Sequence, residues 1–394
     1  MNRSLFKKIP TLHDVDVNNK TCIVRLDLNV PLKDGKITDL ARLLAAKRTL
    51  DHLIDSKCKI VILSHLSRVK KAEDITSGKK SLKVVADALQ KLYPKMKVIF
   101  VENNRDKKLP SMVKKMKTNQ IILLENTRYN DFDLKKNEVV KLESKNNPQL
   151  AKFWASLGDV YVNDAFATIH RGHASNAGIA KLKKQKCIGY LIQDELEHII
   201  KFNKYSSKPI VSVVGGAKIA DKIILLEKLM QTSDQVLIGG GMAFTFLTAL
   251  GINCQKSLVE KEMLETAKNL YTKYKNKIIL PIDVACATDF ANQTRKEYKV
   301  NKIPANMMGL DVGSKTIKQY LKVLKPAQTI FWNGPTGVFE FSNFDSSTKA
   351  VAKAIAAAAV KFAKKTDFSW VSTGGGATLA VIQGDELPGL FFKK

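Results

Sequence analysis

Arginine and glycine are spread unevenly along this 394-residue chain, and the imbalance points to two kinds of anion chemistry. Of the nine arginines, eight lie at or before Arg171; of the 21 glycines, 15 lie after residue 200. Guanidinium forks hold phosphate and carboxylate at two points. Glycine loops let backbone N–H groups come close to the phosphates of a nucleotide. The first half therefore reads as an anionic-substrate region and the second as a nucleotide region.

Individual motifs support this to different degrees. "RLDLNVP" (25–31) places Asp27 and Asn29 two apart at the end of an apolar run, where turn chemistry alone would also favour them. "SHLSR" (64–68) sets His65 and Arg68 one turn apart, an anion grip or an ordinary surface pair. "NDAFATIHRGHAS" (163–175) crowds His170, Arg171 and His173 into a loop of small residues. Two histidines do not complete a metal site, so anion binding is the preferred reading. In "VVGGAKIADKI" (213–223) a glycine pair is expected to open a helix with Lys218 and Lys222 at i, i+4. Like charges so placed cost roughly 0.2–0.5 kcal/mol and oppose the helix dipole, penalties that a bound phosphate would reverse. The plain alternative is a lysine-rich chain that places lysines everywhere.

The remaining glycine motifs are looser. "IGGGMAFTF" (238–246) lacks G-x-G-x-x-G spacing, and its glycines suit flat packing against a base. In "FWNGPTGVFE" (331–340), Glu340 follows a Gly-Pro turn, a place from which a carboxylate accepts from ribose hydroxyls. Phe331 and Trp332 read as core. "STGGGAT" (372–378) suits phosphate but lacks the Gly-Lys-Ser/Thr ending of a P-loop, so positive charge must come from elsewhere.

The elements that must position these residues alternate between short apolar runs and amphipathic helical stretches. The expected strands are 22–26, 59–63, 97–101, 120–124 and 159–162, then 209–214, 235–239, 277–281, 328–332 and 368–371. This alternation predicts an α/β fold of two lobes with mainly parallel sheets covered on both faces. Most runs end in polar or glycine clusters: Asp27 and Asn29, His65 and Arg68, Glu125 and Arg128, Asn163 and Asp164. In the second half they are Gly215–Gly216, Gly239–Gly241, Asp283, Asn333–Gly334 and Gly374–Gly376. Ligands of open α/β sheets sit outside the carboxyl ends of the strands, so both lobes are expected to bind something there. A helix carrying Leu191, Leu196 and Ile199 is expected to join the lobes as a stiff hinge.

Composition excludes several classes. The chain is 45% hydrophobic and 26% charged, as soluble globular proteins are. Five scattered cysteines without a C-x-x-C pair argue for a reducing compartment and against a disulfide framework or zinc site. The opening "MNRSLFKKIPTLHDVD" has no signal-peptide core, and the longest apolar run, "AIAAAAV" (354–360), falls short of the ~20 residues a membrane span needs. A cytoplasmic location without membrane attachment is expected. Net charge is +28, but 56 of the 65 basic residues are lysines spread along the whole chain. Groove binders concentrate arginine and aromatic residues, so no specific nucleic acid is expected as a partner.

Taken in order, "RLDLNVP", "SHLSR", "LLENTRY", "DVYVNDAFATIHRGHAS", "VVGGAKIADKI", "IGGGMAFTF", "FWNGPTGVFE", "STGGGAT" and "ELPGL" resemble the phosphoglycerate kinase family over essentially the whole chain. The resemblance implies two Rossmann-like lobes joined by a hinge helix. Residues 1–186 with the tail 380–394 would bind 3-phosphoglycerate, and 187–379 the nucleotide. Substrate contacts would fall on Asp27, Asn29, Arg42, His65, Arg68, Arg128 and Arg171, with His170 nearby. Nucleotide contacts would fall on Lys218, Lys222, Gly309, Glu340 and Gly374, Gly375, Gly376 and Ala377, with Asn333 and Gly239, Gly240 and Gly241 lining the same pocket. The implied reaction moves a phosphoryl group between 1,3-bisphosphoglycerate and ADP, giving 3-phosphoglycerate and ATP.

In that reaction Arg42, Lys218, Gly374 and Gly375 would be catalytic, and Mg²⁺ would be held through the nucleotide rather than by protein ligands. The lobes would have to close, and the enzyme would be a monomer. Some positions depart from the family pattern. Ser67 and Val69 stand for Gly and Pro, Asn130 for His and Thr336 for Met, and Ala377 occupies a place where many relatives carry a metal-anchoring Asp. Two rivals remain: another acyl-phosphate kinase of the acetate or aspartate type, and a non-catalytic basic binding protein.

Overall fold

A computed structural model describes residues 9–362 and 370–390. The chain divides into two compact units, residues 1–200 with 372–394 and residues 201–371. The main sheet of unit 1 uses β1 (Thr21–Leu26), β2 (Lys59–Leu63), β3 (Lys97–Val101), β4 (Gln120–Leu124), β5 (Val160–Asp164) and β6 (Lys186–Ile188). Their order is β6-β5-β1-β2-β4-β3, and every pairing is parallel. Central strands such as "KIVIL" and "QIILL" are buried over four of five residues, as sheets covered on both faces require. Along β1, Val24 and Leu26 enter one core with Leu43, Leu50 and Ile60, while Ile23 enters the other with Val61, Trp154 and Tyr161.

Helices close both faces of this sheet. Helix α1 (Ala41–Asp55) buries Leu43, Ala46, Leu50 and Leu53, a three-to-four spacing that defines one apolar stripe. Helix α2 (Pro148–Ala155) begins with proline, and the Asn147 side chain caps it by accepting from Leu150 N at 3.0 Å. Helix α3 (Tyr190–Tyr205) starts in unit 1, where Ile192 and Leu196 are fully buried, and runs across the boundary between units.

Unit 2 contains β7 (Ile210–Val214), β8 (Gln235–Ile238), β9 (Ile278–Ile279), β10 (Asp283–Ala287), β11 (Lys296–Lys299), β12 (Met308–Val312) and β13 (Thr329–Asn333). A parallel sheet runs β9-β8-β7-β13, and a separate antiparallel sheet runs β11-β10-β12. The parallel sheets are built from the expected apolar runs, with β6 (Lys186–Ile188) added as an edge strand that the apolar pattern did not mark. The antiparallel sheet is not, because β11 is a polar "KEYK" and Gly309 and Asp311 interrupt the apolar pattern of β12.

Other differences have similar local causes. The expected strand 277–281 shortens to Ile278–Ile279 and stops before Pro281, which has no N–H for a ladder. The expected strand 368–371 lies partly outside the described residues, and neither Trp370 nor Val371 is in a strand. The unit boundaries fall at 200/201 and 371/372 rather than 186/187 and 379/380. The segment from Ser372 joins unit 1 because Thr373 is tied to helix α3 and Gly374 packs on Phe166 and Ala167. Among the described residues no helix is long and apolar enough to cross a membrane.

Candidate active site

Parallel strands deliver their following loops to one edge, and in unit 1 the loops after β1, β2, β4 and β5 carry the charged residues. Asp27, Asn29, Arg42, His65, Ser67, Arg68, Arg128, Ala167, Thr168 and Arg171 line one cavity of about 190 Å³. Seven of the eight positions expected to contact substrate are therefore brought together. The eighth, His170, stands beside them, its Nε2 accepting from Arg171 Nε at 3.1 Å. Arg42 forms an ion pair with the buried carboxylate of Asp27 and donates to Thr373 O at 3.2 Å. Burial lowers the guanidinium pKa of both Arg42 and Arg171, Arg171 being opposed in addition by Arg128 and Arg68. Like-charged forks gathered in a partly dry cavity repel one another until an anion enters.

Several loop geometries are legible in hindsight. Ser67 sits at φ +58°, a left-handed backbone that favours glycine, with its N–H donating to Asn29 Oδ1 at 2.7 Å. The Asn126 side chain accepts from Arg128 N at 3.0 Å and donates to Leu66 O at 2.7 Å, joining the arginine loop to the His65 loop. Glu125, which ends a strand like a site residue, accepts from Leu82 N at 2.8 Å and Ser81 Oγ at 2.6 Å and serves as a cap. Asn163 and Asp164 also act structurally, through Asn163 Nδ2 to Gly389 O at 2.9 Å and Ile192 N to Asp164 Oδ1 at 3.1 Å.

A second, buried layer supports the arginines. Arg25 is 1% exposed and donates to Ser175 Oγ and to His65 Nδ1, each at 3.0 Å. Glu143 accepts from Ser175 N at 3.0 Å and from the Ser175 hydroxyl, and burial raises its pKa against the lowering pull of Arg25. Arg128 is held by Asp131 at 3.2 Å, Ser144 Oγ at 2.5 Å and His173 Nε2 at 3.4 Å. Sequence reasoning missed Arg25, Asp131, Glu143 and Ser144. The signal available was the unusual burial demanded of Arg25 inside the apolar strand "CIVRL".

The glycine run also belongs to unit 1. Helix α4 (Gly375–Gln383) starts directly after Gly374, so the N–H groups of Gly375, Gly376 and Ala377 occupy a first helical turn, where no intrahelical acceptor exists. Nothing lies within 4 Å of a side chain added at Gly375, and the nearest contact at Gly376 is His170, 3.7 Å away. Thr373 N and Oγ1 donate to Glu195 Oε1 of α3 at 2.7 and 2.8 Å, so Arg42 and Glu195 together fix the helix start. Gly375 and Gly376 are exposed while Ala377 is buried, so the first turn presents the N–H groups of the two glycines and the positive end of a dipole to an anion.

In unit 2 three loops converge on Lys222. Its Nζ donates to Gly215 O at 2.6 Å and to Asn333 Oδ1 at 2.7 Å, and burial lowers its pKa. The glycines permit loop-on-loop packing here. A Cβ at Gly215 would lie 1.9 Å from Pro335 O, one at Gly239 would strike Thr336, and one at Gly240 would strike Gly216 and Pro335. The flat base platform expected of Gly239–Gly241 thus gives way to contact with neighbouring loops. At the helix after Gly240, Met242 N already donates to Gly216 O at 3.0 Å.

The expected helical pairing of Lys218 with Lys222 is corrected. A 3₁₀ turn spans Ala220–Lys222 and the α-helix begins at Ile223, because Gly216 at φ +128° swings the chain outward and Lys222 folds back into the niche. Lys218 is exposed in the preceding loop. Asp283 starts β10 and caps the helix Ser314–Leu324 by accepting from Thr316 N at 2.8 Å, so it is structural. Gly309 is buried on β12 against the Phe244 ring, and Glu340 is exposed at a turn. Trp332 packs in the unit 2 core, and Phe331 stacks on Phe202 at 5.1 Å.

No three His, Cys, Asp or Glu side chains among the described residues could jointly hold a metal ion. The family model for phosphoglycerate kinase matches residues 12–385. The phosphoglycerate kinase of Mycoplasma genitalium is 48% identical over 96% of this chain and 97% of its own. That of Fusobacterium nucleatum is 43% identical over 98% of both. Among solved structures, phosphoglycerate kinase from Coxiella burnetii aligns with a TM-score of 0.79 at 37% identity, covering 97% of this chain and 98% of its own. With an arginine-lined cavity in one unit, a glycine-lined lysine in the other and this likeness along its whole length, the chain belongs to the phosphoglycerate kinase family.

Proposed function

We propose that this chain catalyses the glycolytic transfer of a phosphoryl group between 1,3-bisphosphoglycerate and ADP, giving 3-phosphoglycerate and ATP. The observation that carries this reading is the cavity where Arg42, Arg68, Arg128 and Arg171 converge with Asp27, Asn29 and His65. Four guanidinium groups exceed what a simple carboxylate needs and suit an acid that also bears a phosphate. Neither acetate- nor aspartate-type acids match that charge.

In the ATP-consuming direction the nucleophile is the substrate carboxylate, already ionised at pH 7 because free carboxyl pKa values lie near ~4. No general base is needed, and the chain's work is alignment and neutralisation of charge on the transferring group. Arg42, the first-turn N–H groups of Gly375 and Gly376, and Lys218 would supply that neutralisation. Lys222, Asn333, Gly309 and Glu340 would hold the nucleotide, with Gly239 and Gly240 shaping its loops. Mg²⁺ would arrive with the nucleotide on its phosphate oxygens, since Ala377 offers no ligand. Transfer requires donor and acceptor oxygens in contact, so the reading includes a closing movement when both ligands bind. An unchanged radius of gyration in solution scattering with both present would count against it. A cytoplasmic, monomeric enzyme completes the reading, the latter tested by light scattering on a sizing column.

Calorimetric titration of the intact chain with 3-phosphoglycerate tests the cavity directly. Saturable binding that Arg171→Ala weakens roughly 30-fold is expected from loss of one fork–phosphate contact. Equal affinity in the variant would remove the arginine cavity from the account.

A further inference from the structure

Three histidines stand against three arginines at the unit 1 cavity, and each takes a guanidinium on one ring nitrogen. Arg25 Nη2 lies 3.0 Å from His65 Nδ1, Arg128 Nη2 3.4 Å from His173 Nε2, and Arg171 Nε 3.1 Å from His170 Nε2. A guanidinium has only donors, so the ring nitrogen facing it must carry a lone pair. His65 is then the Nε2–H tautomer, and His170 and His173 are Nδ1–H tautomers. Protonating any of them would abolish the acceptor and set two cations face to face.

We infer that His65, His170 and His173 act as neutral acceptors for the site's guanidinium groups, so that arginine alone carries the charge offered to a phosphorylated acid. This inference rests on the proposed reading of the cavity as the 3-phosphoglycerate site. His173 touches no substrate in this account and is a positioning residue. It holds Arg128 Nη2 while Asp131 and Ser144 hold Nη1, which pre-sets the fork and reduces the ordering cost of binding.

The surroundings favour the neutral rings. Burial, then Arg25, Arg128, His173 and Arg171, holds His65 well below its ordinary value. Burial, then Arg128, Arg25, Arg171 and His170, brings His173 down to about 2, although Glu143 Oε1 lies 3.9 Å from its Nδ1. Burial and Arg171 lower His170 against the opposing pull of Asp385.

Long-range ¹H–¹⁵N spectra of the ligand-free full chain, labelled at histidine, read tautomer and charge together. Assignment by single His→Gln variants is expected to show His65 as Nε2–H and His170 and His173 as Nδ1–H, with none titrating between pH 8 and 5.5. A cationic ring at pH 6, or a reversed tautomer at His65 or His173, would overturn the inference. In kinetics, His173→Leu is expected to raise KM for 3-phosphoglycerate roughly ten-fold with a smaller change in kcat. His173→Gln, whose amide oxygen can accept from Arg128, should recover most of that loss. Equal losses in the two variants would deny the positioning role. If the unmodified chain showed no turnover dependent on 3-phosphoglycerate, the functional reading would fall, while the spectra would still decide the tautomers.

Discussion

The guanidinium of Arg128 is held at both terminal nitrogens before any ligand arrives, and at this scale charge counts less than geometry. Arg128→Lys keeps the charge but loses the fork, so KM for 3-phosphoglycerate should rise about ten-fold in steady-state assays. The buried histidines give a pH signature with a fixed sign. A native imidazole depressed below the unfolded value of about 6.5 leaves the unfolded chain binding more protons. Stability from His173 is therefore intact above pH 6.5 and is lost as pH falls below it, by about 2 kcal/mol between pH 7 and 5. Asp164, pushed up to about 7 by burial, works in the opposite direction over the same range. Urea unfolding at both pH values should therefore show His173→Gln losing about 2 kcal/mol less than the parent on acidification. Equal losses would mean that His173 is not held neutral. Most of the cavity-lining residues were legible because their types are chemically distinctive and follow apolar runs, whereas Arg42, inside helix α1, was marked only by the family resemblance. Arg25 and Glu143 were not, since 118 positions separate them and only the folded sheet joins them through Ser175.

Elements decide where the glycine chemistry acts. The loops after β7, β8 and β13 approach so closely that Gly215 has no room for a methyl group beside Pro335 O. Gly215→Ala should cost about 3 kcal/mol in chemical unfolding, at the upper end for overpacking. A neutral result would show that these loops adapt. Gly375 is the opposite case, with open space around it at the head of a helix. Gly375→Pro removes one N–H at a position that tolerates proline, so the melting temperature should stay within a few degrees while kcat falls roughly ten- to hundred-fold. Parity in kcat would take that donor out of the transition state. Parallel strands were readable because runs such as "KIVIL" are apolar on both faces and carry β-branched residues. The Lys218–Lys222 helix failed because the glycine pair that signals a helix start also allows a positive φ, which delays the helix to Ile223.

At the scale of the whole molecule the two compact units hold different chemistry, arginine with the glycine helix in one and the lysine niche in the other. Separate calorimetric titrations of the intact chain should show Arg171→Ala weakening 3-phosphoglycerate roughly 30-fold with ADP nearly unaffected, and Lys222→Ala the reverse. The uneven distribution of arginine and glycine made this division legible. The boundary was less so, because the chain after residue 371 returns to unit 1 through the contacts of Thr373 and Gly374 rather than through any break in composition. The most direct test of the account is ADP formation from Mg-ATP with and without 3-phosphoglycerate, in the parent chain and in Arg42→Ala. Turnover is expected to require 3-phosphoglycerate and to fall at least a hundred-fold, on the order of 3 kcal/mol of transition-state stabilisation, when Arg42 is removed. ADP formation that ignores 3-phosphoglycerate, or survives loss of Arg42 undiminished, would contradict it.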